Sequence, residues 1–424
     1  MGVLNLRAFN DRALMVAGWL IALIGFSLPI STAMDNVLLA LMLIAFALSG
    51  CFWEKLQSVL RNPAVVALAG LFVLLCLGTL YGNAPSTDRL KYLVKYSDLL
   101  LVVVMVPLFG DERARRRALT AFAAAMILTL LLSLALSANL LPPAKWLRGT
   151  AENATVFKFQ ITQNLLMAFA AYFFASVAAA ESVKWRRLAW YGLALLAFVD
   201  VLFLVRGRTG QVALLVLTIY FFARHLRWRG LVIGILATLL AVLAAWYFSS
   251  LFRDRLALTT AEYERSKVEA AADESSSVGL RLEWYRNTLR LIAQRPVFGA
   301  GTGGFPHAYA GFVTDPQAVK PAHPHNQFLL TATETGVIGL GALLAVFVWL
   351  GKSTSRIPDP LRRELARGLL MTFVIGCLFN SLLIDHTEGL FFVWMTALAF
   401  GGVDRRPGRP QLNPGPGTLL QGTD

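Results

Sequence analysis

Residues 321–339 read PAHPHNQFLLTATETGVIG, and this stretch decides how the chain is divided. It holds His323 and His325, two of the five histidines, at the point where a long polar segment ends and an apolar helix begins. Upstream, residues 250–326 are polar for longer than any other stretch. Downstream, 327–350 are apolar enough to cross a bilayer. The chain has 424 residues, 57% of them hydrophobic and only 15% charged, with a mean hydropathy of +0.60. Runs of about 18 or more apolar residues read as membrane helices, whereas a β-barrel would show short alternating segments. The fold expected is therefore an all-α polytopic membrane protein.

About twelve transmembrane helices are expected, over 13–31, 35–52, 63–82, 91–109, 118–139, 161–180, 188–205, 209–224, 230–249, 327–350, 368–384 and 388–403. Every even-numbered span is followed by a basic loop, such as Arg113, Arg115, Arg116 and Arg117 after the fourth. Basic short loops mark the cytoplasmic side, so both termini are expected there. The net charge of +14 is then a matter of orientation, and nucleic acid is not an expected partner. One large helical loop separates spans nine and ten on the opposite, periplasmic side. The division expected is 1–249 for spans one to nine, 250–326 for that loop, 327–403 for spans ten to twelve, and 404–424 as a disordered cytoplasmic tail. The first apolar run lacks a signal-peptide cleavage site and meets another span at once. Of three cysteines, Cys76 and Cys377 fall inside spans and Cys51 at a span edge, without zinc-site spacing.

Within the loop, 253–275 and 280–295 read as helices. The second is amphipathic, with Leu280, Trp284, Thr288, Leu291 and Ile292 on one face and Arg281, Arg286 and Arg290 around it. Gly299, Gly301 and Gly304 then match G-x-G-x-x-G, but no βαβ unit surrounds them. They read as a turn that redirects the chain.

Several polar residues at the periplasmic face are candidates for chemistry. Arg206 and Arg208 lie in VRGRTG between two apolar runs, where guanidinium groups suit a phosphate; the plainer reading is snorkelling to headgroups. Lys91 and Lys95 are four apart and share a helix face, with Lys95 inside the apolar run. Arg281, read alone, is a solvated loop residue. Asp385, His386 and Glu388 form the turn before the last span, where they either solvate the turn or orient a basic residue. Histidine titrates near neutrality, so His325 can accept a proton; Pro321 and Pro324 fix its approach, Asn326 follows, and a helix bearing Gly336 and Gly339 begins directly. No D-x-D pair and no histidine–carboxylate cluster occurs on this side. A reaction at a diphosphate here is expected to offset charge with arginine and lysine, with no metal and no cofactor.

On these residues the chain resembles the O-antigen ligases, within a superfamily that includes O-antigen polymerases and protein O-oligosaccharyltransferases. The most specific element is His325-Asn326, nine residues, Gly336, two residues, Gly339. R-L-E-W from Arg281, P-x-F-G-x-G-x-G-x-F from Pro296, and the turn Arg206 to Arg208 also fit. The family's leucine four residues after the arginine is replaced by Val212 after Arg208. The resemblance implies a glycosyltransferase of the bacterial inner membrane. It would move O-antigen glycan from undecaprenyl diphosphate to lipid A–core oligosaccharide, inverting the anomeric carbon without metal. It implies His325 as base, Arg208 and Arg281 as catalytic cations, and Arg206, Lys91, Lys95 and Asn326 in substrate binding. The same donor serves the polymerases and protein O-oligosaccharyltransferases, which are the nearest alternatives. A transporter of lipid-linked glycans would instead carry its charges at the midplane.

Overall fold

The computed structural model describes residues 2–50, 57, 59–82, 84–142, 144, 146–248, 253, 277–314 and 318–403. Among them there is no strand, only an isolated bridge between Thr150 and Asn153. The helices are α1 (Gly2–Ser27), α2 (Thr32–Leu48), α3 (Pro63–Tyr81), α4 (Ser86–Tyr96), α5 (Val102–Leu108), α6 (Glu112–Ser137), α7 (Gln160–Ala180), α8 (Lys184–Val199), α9 (Arg208–Phe248), α10 (Ser277–Gln294), α11 (Phe305–Phe312), α12 (Gln327–Ser353), α13 (Pro360–Phe379) and α14 (His386–Phe400). Seven described helices are long and apolar enough to cross a membrane. One of the seven, α9, doubles back. Its backbone leaves the helical region at Arg227 (φ 56°), and Gly230 and Gly234 on one arm press on Phe222 and Ile219 on the other. Contacts that step up one arm while stepping down the other are those of an antiparallel hairpin. The helix expected over 253–275 (beyond its first residue), Cys51 and the tail after Val403 lie outside the described residues.

A single helix over 91–109 is not what forms. The segment divides into α4, a 3₁₀ stretch Ser97–Leu101 and α5. Ser97 turns its hydroxyl back to the carbonyl of Val94, a bond that competes with regular helix. Asp98 follows, 3.6 Å from His386 Nδ1. A carboxylate with a partner off the helix makes a tighter turn worthwhile.

α14 is the centre of the bundle, with every residue from Thr387 to Phe400 buried. Phe391, Phe392 and Trp394 pack among Phe122, Phe169, Phe347 and Phe373. Trp394 Nε1 donates to the carbonyl of Ile21 (2.9 Å). Asn62 caps α3 and donates from Nδ2 to the carbonyls of Phe400 and Val403, tying the start of one helix to the end of another. Outer helices show large exposed apolar side chains, Leu80 and Leu240 among them, as lipid-facing surfaces do.

The feature that positions the polar segment is a break in α12. Gly336 sits at φ 64°, and a Cβ there would lie 2.1 Å from the carbonyl oxygen of Val297, so only glycine fits. The break leaves carbonyls without helical partners, which lipid does not tolerate. The glycine turn supplies donors: Ala300 N–H to Thr333 O (2.8 Å), Gly301 N–H to Glu334 O (2.7 Å) and Thr302 N–H to Gly78 O (3.0 Å), while Val337 N–H donates to Pro296 O (2.8 Å). Gly303 N–H donates to the buried Glu334 carboxylate (2.9 Å). A turn of 296–304 that reads as a simple redirection is thus a plug seated between α3 and α12. It fixes α10, which precedes it, over the start of α12.

Candidate functional site

The site is built where α10 crosses the mouth of α12. Asn326 is the N-cap of α12: its Oδ1 accepts from Leu329 N–H (3.0 Å), and its Nδ2 donates to Leu378 O (3.0 Å). The amide oxygen and one Nδ2 hydrogen are thus used within the protein, which fixes the side chain in place. Before it, His325 is held at φ 53°, a conformation uncommon outside glycine and associated with functional sites. Tyr285 of α10 holds that strained turn through its hydroxyl, whose one proton is shared between the carbonyls of His325 (3.1 Å) and Leu378 (3.2 Å). The His325 ring stacks on Trp284 (centroids 5.3 Å apart, planes at 20°), and the His323 ring lies 4.4 Å away.

A chain of polar groups sets the imidazole tautomer. Asn380, at the end of α13, donates from Nδ2 to Asp385 Oδ2 (3.0 Å). Its Oδ1 is therefore the atom that meets His325 Nδ1 at 3.2 Å. An amide oxygen only accepts, so Nδ1 carries the proton and the lone pair rests on Nε2. Burial lowers the His325 pKa, Arg281 lowers it further, and the Asn380 bond opposes them. His323 is pushed down to about 3 by burial, then by His325 and Lys95. Both rings are neutral at pH 7.

Two cations, Arg281 and Lys95, act on this pair, and a third, Arg208, acts on Arg281. Arg281, one turn before Trp284 and Tyr285, is half-buried. Its pKa is lowered by burial; Tyr285 opposes this and the neighbouring Arg208 adds to it. The solvated reading of Arg281 is thereby overturned. Arg208 opens α9 with its side chain exposed and, among the described residues, without an ion-pair partner. Its turn is rigid: Asn164 Nδ2 donates to Gly207 O (2.6 Å), and Gly207 and Gly210 both press on Asn164. A π-helical stretch, Asp200–Leu204, leads into it, a feature frequent at functional sites. Lys95, its ammonium 5.1 Å from the Tyr92 ring centre, acts electrostatically on His323 and on Asp385.

Two candidates stand apart. Arg206 is paired with Glu152 (3.2 Å), its backbone N–H donating to Asn153 Oδ1 (2.8 Å). Lys91 is exposed, one turn from Lys95. The turn before α14 is not solvated either. Asp385 is half-buried against Asn380, and Glu388 is 3% exposed and accepts from Thr162 (2.5 Å). Lys158 donates to Thr32 (2.8 Å) and Thr387 (3.0 Å) beside them. Trp284, Tyr285 and Asn380 were not legible as site residues. Asn380 alone gave a signal, as an amide inside the apolar run CLFNSLL.

Residues 192–344 match the family model described as O-antigen ligase, which supports membership of the O-antigen ligase superfamily and a ligase- or polymerase-type glycosyl transfer in general. The match runs from α8 to α12 and includes Arg206, Arg208, Arg281 and His325. No curated protein matches the chain.

Proposed function

With an O-antigen ligase segment as premise, we propose that the chain transfers O-antigen glycan from undecaprenyl diphosphate to lipid A–core oligosaccharide. The reaction takes place at the periplasmic face of the inner membrane, with both termini in the cytoplasm and residues 250–326 as the periplasmic loop. One observation carries the reading. The Asp385–Asn380–His325 chain leaves a neutral imidazole with its lone pair on Nε2, beside Arg281, which has Arg208 as its own neighbour.

The chemistry follows from those groups. The donor diphosphate rests against Arg208 and Arg281, with Lys95 adding field, and Arg206 and Lys91 as outer cations. His325 Nε2 takes the proton of the acceptor hydroxyl. The freed oxygen pair attacks the anomeric carbon from the face opposite the diphosphate. The carbon–oxygen bond to the phosphate breaks, its electrons go to the leaving group, and undecaprenyl diphosphate departs. Configuration inverts in this one displacement. A diphosphate is a good leaving group, so no general acid is needed. The arginines stabilise charge as it develops there, in place of a metal.

A strain lacking the gene should lose its O-antigen ladder on lipopolysaccharide while the lipid-linked glycan remains. An intact ladder would sink the reading. A ladder collapsed to single repeats would point to polymerisation instead.

A further inference from the structure

The end of the bundle opposite His325 carries a second cleft. α9, α12 and α13 each run between the site and that end: α9 starts at Arg208, α12 starts just after His325, and α13 stops just before Asn380. α13 packs on both of the others. Its residues Arg367, Leu370, Met371, Val374 and Ile375 fall at i, i+3, i+4, i+7 and i+8, which is one face of a helix. They floor a cavity of about 440 Å³ between α9 and α12, walled by Tyr220 on one side and Gly351 on the other. Met371, Val374 and Ile375 are only half-buried. The floor is thus an apolar stripe about 12 Å long, at 1.5 Å per residue, with a guanidinium at its outer end.

That outer end is cationic beyond its own needs. Glu364 accepts from Arg224 Nε (3.0 Å), from Arg367 Nη1 (3.0 Å) and from the Tyr220 hydroxyl (3.2 Å). One carboxylate shared by two guanidiniums leaves a positive charge over. Lys352, in the last turn of α12, and Arg356, just past it, are exposed and have no ion-pair partner among the described residues. Trp228, four residues after Arg224 in the reversal of α9, is exposed as well. Such aromatic rings mark the level of lipid headgroups. A cleft between helices that is apolar along its length and basic at the membrane surface has the polarity of an anionic lipid standing in its leaflet.

We propose that this cleft binds an anionic glycerophospholipid, with an acyl chain along the α13 stripe and the phosphate at Arg224 and Arg367, where Lys352 and Arg356 add field. The occupant is an intact lipid and not free phosphate, because the basic groups lie at the surface and the apolar stripe alone gives the cleft its depth. Such a lipid ties together the far ends of the helices that carry or adjoin Arg208, His325 and Asn380. In the orientation proposed above its leaflet is the cytoplasmic one, across the membrane from the glycan chemistry. The inference does not rest on the transfer reading.

The test is titration of phosphatidylglycerol or phosphatidylcholine into the full chain in detergent, with bound lipid counted by native mass spectrometry. The wild type is expected to hold the anionic lipid about fivefold tighter or more, since each basic residue near an anionic headgroup contributes that factor. Arg224→Gln removes the surplus charge and leaves Glu364 paired with Arg367; phosphatidylglycerol affinity should fall about fivefold. Glu364→Gln adds positive charge while its amide oxygen still accepts from Tyr220, and affinity should rise by a similar factor. A Cβ at Gly351 approaches only Leu370 Cδ1, at 4.0 Å, so Gly351→Leu keeps the helix and pushes its branches into the cleft. Binding should weaken roughly tenfold, the cost of overfilling a packed space. Equal affinity for the two lipids, as a merely annular lipid would give, overturns the assignment. So does a phosphatidylglycerol affinity unmoved by Glu364→Gln or by Gly351→Leu, or displacement of the lipid by excess inorganic phosphate alone. Donor and acceptor are absent throughout, so these outcomes stand apart from success or failure of glycosyl transfer.

Discussion

Replacing His325 with alanine is expected to lower the glycan transfer rate by about 10²–10⁴, the usual cost of losing a general base, while donor affinity is largely kept. The reason is the division of labour in the site. In the proposed reaction the imidazole meets the acceptor hydroxyl, and the arginines meet the diphosphate. Transfer rate and donor affinity, measured separately for the purified variant in nanodiscs, check both halves. The pH profile carries the same assignment. The working form of a base is the neutral one, and burial together with Arg281 lowers the His325 pKa from 6.5. Activity as kcat/KM is therefore expected to hold as pH falls through 6.5 and to decline only below it. An acid limb centred at or above 6.5 contradicts the account, as does a His325→Ala protein that transfers at the wild-type rate.

Arg208→Ala has the second largest effect expected. Its guanidinium is exposed, rigidly mounted on the Asn164-supported turn, and free of an ion pair among the described residues. Losing a charge-assisted contact to phosphate is expected to weaken donor binding roughly ten- to a hundredfold. Turnover should fall with it, because the same cation stabilises the leaving group. Arg208→Lys should restore only part, since an ammonium cannot reproduce a two-pronged contact. Arg206→Ala should do less, because Arg206 already spends its charge on Glu152. Donor titrations of the three variants decide this; an Arg206 effect larger than that of Arg208 would exchange their roles. Arg281→Ala is expected to follow the Arg208 pattern.

The all-helical, membrane-spanning class was legible because lipid imposes a single demand on sequence, apolar length, and that demand is local; seven described helices meet it, against about twelve expected. His325 and the arginine turn stood out as candidates for the same reason in reverse: polar residues at the ends of apolar runs are costly. What the sequence hid depends on distant contact. Nothing near Gly336 says that its broken helix will be completed by the backbone of 296–303, more than thirty positions earlier. Arg281 reads like Arg286 and Arg290 until α10 is laid across the mouth of α12. Asn380 acquires its importance only when Asp385 on one side and His325 on the other fix which way its amide points. The break at Ser97–Leu101 was likewise hidden, because Asp98 finds His386 from the far end of the chain.

The most direct test of the central claim is transfer by the purified protein, given undecaprenyl-diphosphate-linked glycan and lipid A–core acceptor, in excess chelator at pH 7. The account predicts an extended lipopolysaccharide product of inverted anomeric configuration, formed at the same rate with chelator or without it. Transfer that stops in chelator and returns with magnesium or manganese would contradict it, as would a product with retained configuration.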